Sequence, residues 1–292
     1  MGFQSRYPVG DTSAPGPVEV AGLRVPLRVV RGGLDSRALR REAGRQEQLV
    51  AGLRGNDDDE AARELAKALA RLAGTEFDLE QFEDAASHFH EAATLLWRLP
   101  NSRAAAVGAR ARQTQALVLA GRRRDALQAA QDLLDLNVKI PSEPDLIPGI
   151  LGTKMLLVKE LGTPEQTMIT AASLIGQVDP PQTPAQRMLV ASAMVLWGQM
   201  EQSLGGHTEA IEAFEIAIER FGSEDGEDFR QIEAEAHLGR GISYEATDDS
   251  AKALADYEQT LRVAEKGHDA VTDEVRDEAA TRLRALTARA AH

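Results

Sequence analysis

ASAMVLWGQMEQSLGGHTEAIEAFEIAIERFG, residues 191–222, reads as a helix, a turn and a second helix. In its first half Met194, Trp197, Gly198 and Glu201 stand three or four residues apart, so apolar and small positions share one helical face. Gly205-Gly206 then breaks the helix. In the second half Ala210, Phe214 and Ala217 repeat the spacing, and Ile211 and Ile218 widen the apolar stripe. The pattern predicts two antiparallel helices. Gly198 and Ala210 are small where the helices approach, and Phe214 fills the space between them.

One hairpin of this kind keeps apolar surface on both sides, so the pattern requires further copies. With Ala191 as position 1, another copy starts at Ala234: Gly241 takes the place of Gly198, Tyr244 that of Glu201, Ala253 that of Ala210 and Tyr257 that of Phe214. Upstream, a start at Ala66 puts Leu69 and Leu72 on the first helix, then Ala85, Phe89 and Ala92 on the second. Two weaker copies begin near Val107, with Gly121, Ala126, Ala130 and Leu133, and near Pro148, with Leu151, Met155, Val158, Gly162 and Leu174.

This order of large, small, turn glycine, small, aromatic and small resembles the tetratricopeptide repeat, here in a long-period variant of about 42 residues. The resemblance covers residues 66–265 and specifies a fold, not a reaction. It implies an all-α, right-handed superhelix of helical hairpins starting near residues 66, 107, 148, 191 and 234. The extra length is expected in connections such as Ser223–Gln231. Helices over 35–54 and 271–290 are expected to cap the solenoid, which as a whole spans 35–292, and the charged outer side of the last one suits that place. In the family, position 9 of each first helix faces a concave groove; here that position holds Gln115, Leu156, Gln199 and Ile242. Neighbouring inward candidates are Lys67, Arg71, Arg112, Lys159, Ser192 and Gln202. The lysine and asparagine set with which chaperone-tail-binding members clamp a terminal carboxylate is not reproduced.

Composition agrees with stacked helices. Of 292 residues 43% are hydrophobic but only 4% aromatic, which leaves a core of Ala, Leu, Val and Ile. The absence of cysteine excludes disulfides, thiolate metal sites and a cysteine nucleophile, and is compatible with the cytoplasm. No signal-peptide pattern and no apolar run of membrane-spanning length is present, so a soluble, cytoplasmic protein without membrane insertion is expected. Arginine outnumbers lysine and alanine is abundant, as suits a GC-rich, bacterial source.

The net charge of -13 is unevenly spread. Residues 1–56 hold nine arginines against five carboxylates, leaving about -17 for the rest, which disfavours a nucleic-acid ligand except through the N-terminal arm. That arm, residues 1–34, is rich in Gly and Pro and is expected to be flexible; within it Val18–Val30 has a short extended pattern around Pro26. GNDDDE at Gly55–Glu60 suits a turn and a helix start, since it lacks the alternating acids, glycine and distal glutamate of a calcium loop. Pro141, Pro144 and Pro148, and again Pro180, Pro181 and Pro184, mark expected breaks in stacking.

Chemistry is hard to find. His88 and His90 lie on different faces of a helix, and His207, His237 and His268 have no ligand spacing. No phosphate loop, dinucleotide fingerprint or nucleophile elbow occurs, so neither cofactor nor metal is expected and the chain reads as non-enzymatic. The expected role is a protein-interaction module or scaffold whose groove binds a peptide or protein, acidic or carboxylate-bearing at one end. A sensor or regulatory component of a signalling or transcriptional system, and a structural subunit of a larger assembly, are the alternative readings.

Overall fold

A computed structural model describes residues 36–55, 58–136, 144–224, 226–265 and 270–290. The N-terminal arm, the Val18–Val30 segment and the Asp35 helix start lie outside the described residues. Helix α1 (Ser36–Leu53) precedes five hairpins: α2 (Asp59–Asp78) with α3 (Phe82–Arg98), α4 (Arg103–Leu119) with α5 (Arg123–Asp135), α6 (Leu146–Leu161) with α7 (Pro164–Val178), α8 (Pro184–Ser203) with α9 (His207–Phe221), and α10 (Glu227–Ala246) with α11 (Ser250–Ala264). Helix α12 (Ala270–Ala290) follows. All regular structure among the described residues is helical, in an all-α solenoid.

Side-chain size sets the spacing inside each hairpin. Phe214 is fully buried, and its ring lies against Gly198 of α8 and Gly239 of α10: a Cβ on either glycine would stand 2.7 or 2.4 Å from a ring carbon. Tyr257 meets Gly241 in the same way, with 2.7 Å left for a Cβ. The two weaker sequence copies depart from this pairing. Where Phe214 stands, they have Ala130 and Ala171; where Gly198 stands, they have Thr114 and Met155, all fully buried. Met155 with Ala171 exchanges large and small across the interface, conserving volume while blurring the motif, whereas Thr114 with Ala130 is small on both sides.

The turns repeat as well. Glu80, Gly121, Gly205 and Asp248 occupy one repeat position, each with positive φ, which reverses the chain between the two helices of a hairpin. The α6–α7 turn uses another device: Thr163 and Gln166 form a capping box with Pro164 in the first turn. Asp58 caps α2 by accepting from the Ala61 amide, so the acidic run near residue 58 starts a helix.

The extra length is not where the sequence reading put it. Helix α10 begins at Glu227, so half of the connection expected over Ser223–Gln231 is helical. Phe229 and Ile232 are buried in the core shared with α6–α9, and that burial draws the extra turn into the helix. Likewise Pro184 does not break stacking. It opens α8 behind the capping residue Thr183.

Candidate functional site

The inner surface is identified by which helices approach one another. Helix α4 meets α6, α6 meets α8, α8 meets α10 and α10 meets α12, whereas no two of α3, α5, α7, α9 and α11 are in comparable contact. The first helices α4, α6, α8 and α10 therefore lie on the inside of the curve, and α2 is their equivalent in the first hairpin. On α4, Gly108, Arg112, Gln115 and Leu119 recur at helical spacing and none is fully buried, so they form one accessible strip. On α2 the same strip holds Lys67, Arg71, Gly74 and Asp78. Gly74 and Gly108 have open space where a Cβ would stand. The floor is low and the rims carry charge.

Arg71 and Arg112 share one repeat position on neighbouring hairpins and both are exposed. Neither guanidinium has a hydrogen bond or ion pair among the described residues; Arg71 interacts at a distance with Glu64, which is itself bonded to Lys67 at 2.7 Å. Gln115 and Gln199 are half-buried, as is Ser192. Lys159 is half-buried too, and desolvation holds its amine below the usual lysine range despite the carboxylates of Glu235 and Glu160. Because Glu235 belongs to α10, Lys159 on α6 senses a charge across α8.

Three of the sequence-derived candidates are engaged in the fold itself. Leu156 is 6% exposed and belongs to the central core, since α6 and α8 close over it. The Gln202 amide donates to the Gly239 carbonyl at 2.6 Å and to Ser243 Oγ at 2.8 Å, tying α8 to α10. Ile242 packs against the cluster around Tyr257.

Sequence reasoning missed two polar clusters. Asp256 of α11, 4% exposed, accepts a bidentate pair of bonds from Arg240 at 2.8 Å and stands 2.9 Å from His237 Nδ1, 7% exposed. Burial pushes the Asp256 carboxyl up, yet the bonds from Arg240 and His237 together hold it below the usual range. In α3, His88 lies 2.7 Å from the buried Glu76 of α2, and that hydrogen bond raises the His88 pKa. The available signal was a charged residue standing in an apolar stripe. Among the described residues no group of three His, Cys, Asp or Glu is placed to hold a metal ion, and no helix is long and apolar enough to cross a membrane.

The geometry defines a helical-hairpin solenoid with an inner face of first helices. Residues 189–266 match the family model described as tetratricopeptide repeat. The match places a tetratricopeptide repeat over most of α8 through α11. Among solved structures, BtubC (BKLC) from P. vanneervenii is similar at a TM-score of 0.56 and 18% identity, over 80% of this chain and 92% of that one. YrrB, described as a tetratricopeptide protein with an unusual peptide-binding site, is similar at 0.49 and 13% identity over 73% and 92% of the two chains. The MamA protein is similar at 0.48 and 14% identity over 69% and 92%. No curated protein sequence matches the chain.

Proposed function

We propose that this chain is a non-enzymatic interaction module of the cytoplasm whose inner surface holds a segment of a protein or peptide partner. The observation that carries the reading is the pair Arg71 and Arg112: same repeat position, adjacent hairpins, both exposed and without an ion pair among the described residues, beside open space at Gly74 and Gly108. Unpaired guanidinium forks favour carboxylates. Towards the other end the inner face is neutral on α8, with Ser192 and Gln199, and carries Glu235 on α10. The bound segment is accordingly acidic, or ends in a carboxylate, at the end that meets α2 and α4, and is uncharged beyond it. Lys159, its amine held below the usual lysine range by desolvation, lies between the two parts.

The test is the double charge reversal Arg71→Glu and Arg112→Glu. Exposed charges contribute little to folding, so helicity and melting stay near those of the parent. Capture of the natural partner, identified by mass spectrometry after pull-down from the native cell and mapped by cross-linking, weakens and loses its salt dependence. Undiminished capture at low salt excludes the inner face of the first two hairpins as the binding surface.

A further inference from the structure

One repeat position lies where each first helix meets its surroundings half-buried. Counted as position 12 of the copies starting at residues 66, 107, 148, 191 and 234, it holds Phe77, Val118, Lys159, Gln202 and Glu245. Four of these five are matched to what surrounds them. Phe77 and Val118 pack against the apolar core around Phe89 and Leu117. Gln202 donates to the Gly239 carbonyl and to Ser243 Oγ of α10, and Glu245 accepts from Arg282 and Arg289 of α12.

Lys159 is the exception. On α8 the equivalents of Gly239 and Ser243 are Leu196 and Met200, which offer no side-chain oxygen and belong to the central apolar core. No hydrogen bond or ion pair meets the Lys159 ammonium among the described residues. The charged groups that act on it are Glu235 of α10 and Glu160 beside it on α6. Each is engaged elsewhere, Glu160 with Arg123 at 2.9 Å and Glu235 with the Gln231 amide at 3.0 Å. By contrast Lys67 and Lys252 are held by Glu64 at 2.7 Å and Asp249 at 3.0 Å. An ammonium taken out of water without a partner opposes folding and gives up its proton more readily, as the lowered pKa of Lys159 reflects. A lysine with more of its free base, and only partly covered, is a nucleophile.

We propose that Lys159 is an acylation site, which takes a small acyl group from an activated donor, an acyl phosphate or a thioester. The amine nitrogen attacks the donor's carbonyl carbon, and the new C–N bond replaces the C–O bond to phosphate or the C–S bond to the thiol. Phosphate or thiolate leaves with the bonding electron pair, and the amine's proton passes to solvent. The product is a neutral amide, so the unpartnered charge between α6 and α8 is gone. An amide is also what the next hairpin carries at this position, in Gln202.

The experiment uses the unaltered full chain, whose other lysines serve as internal controls. It is incubated at pH 7.5 with acetyl phosphate and, separately, with acetyl coenzyme A, and acetylation of each lysine is followed by mass spectrometry of peptides. Lys159 is expected to react about fivefold faster than Lys67 and Lys252 in at least one arm, and the arm in which it does so identifies the donor class. In urea the preference disappears, because the fold creates it. Lys159→Met, which removes the charge at similar volume, raises the urea midpoint at pH 7.5. A Lys159 rate equal to or below that of Lys67 in both arms overturns the proposal, since the amine is then merely covered by the fold. A preference that survives in urea overturns it as well, as does a midpoint that Lys159→Met leaves unchanged or lowers.

Discussion

A glycine facing an aromatic ring is the tightest constraint in this fold. Alanine at position 239 gains helix propensity, about 1 kcal/mol over glycine. Its Cβ would nevertheless stand 2.4 Å from the Phe214 ring, which is held on its other side against Gly198. Overpacking wins, and Gly239→Ala is expected to lose about 1–3 kcal/mol in urea denaturation. Phe214→Ala loses more, about 3–5 kcal/mol, through the cavity it leaves. A loss below about 1 kcal/mol would contradict the buried ring position. At the turns the balance reverses: Glu80 has φ 62°, a strained region for a residue with a Cβ, so Glu80→Gly gains about 0.5–1 kcal/mol. The His88 and Glu76 pair makes stability depend on pH. The folded pKa of His88 is raised, so the pair contributes fully below the unfolded value near 6.5 and is lost as pH climbs through the folded value. The difference in denaturation midpoint between the parent and His88→Gln shrinks from pH 6 to pH 9.

Between elements, buried charge does what apolar packing does elsewhere. Asp256 ties α11 to α10 through Arg240 and His237, and Glu245 of α10 accepts from Tyr257 at 2.8 Å while pairing with Arg282 and Arg289 of α12 at 3.3 and 3.2 Å. Removing one partner of a buried pair strands the other. Asp256→Ala therefore costs about 3–5 kcal/mol, more than truncation of an exposed ion pair such as Lys67 with Glu64, which water screens. Thermal melts of the two variants side by side check the order.

At the scale of the molecule, each hairpin touches little beyond its neighbours, so damage stays local. Helix α12 covers the last hairpin, with Leu286 in the cluster of Ala253 and Tyr257, and Val275 against Val263 and Ala234. A chain truncated after Glu265 is expected to lose amide protection in α10 and α11 while α2–α7 keep theirs, as hydrogen exchange resolves. Uniform loss along the chain would show instead that the solenoid opens as one unit.

The sequence by itself determined that the chain is a stack of helical hairpins, because burial of a stripe repeating every three or four residues has one solution, and Phe214, Tyr257 and Phe89 announced it. It also put Arg71 and Arg112 on the surface, since a helical face carries its exposed positions in a fixed phase. The tertiary structure decided the rest. Whether Leu156, Gln202 and Ile242 meet a ligand or a neighbouring helix depends on how closely α6, α8 and α10 approach, a distance between segments some forty residues apart. The partners of Asp256 and His88 lie on other helices, where periodicity carries no information. The extra turn of α10 is helical because Phe229 and Ile232 find a core to enter, and that core exists only once the hairpins are stacked.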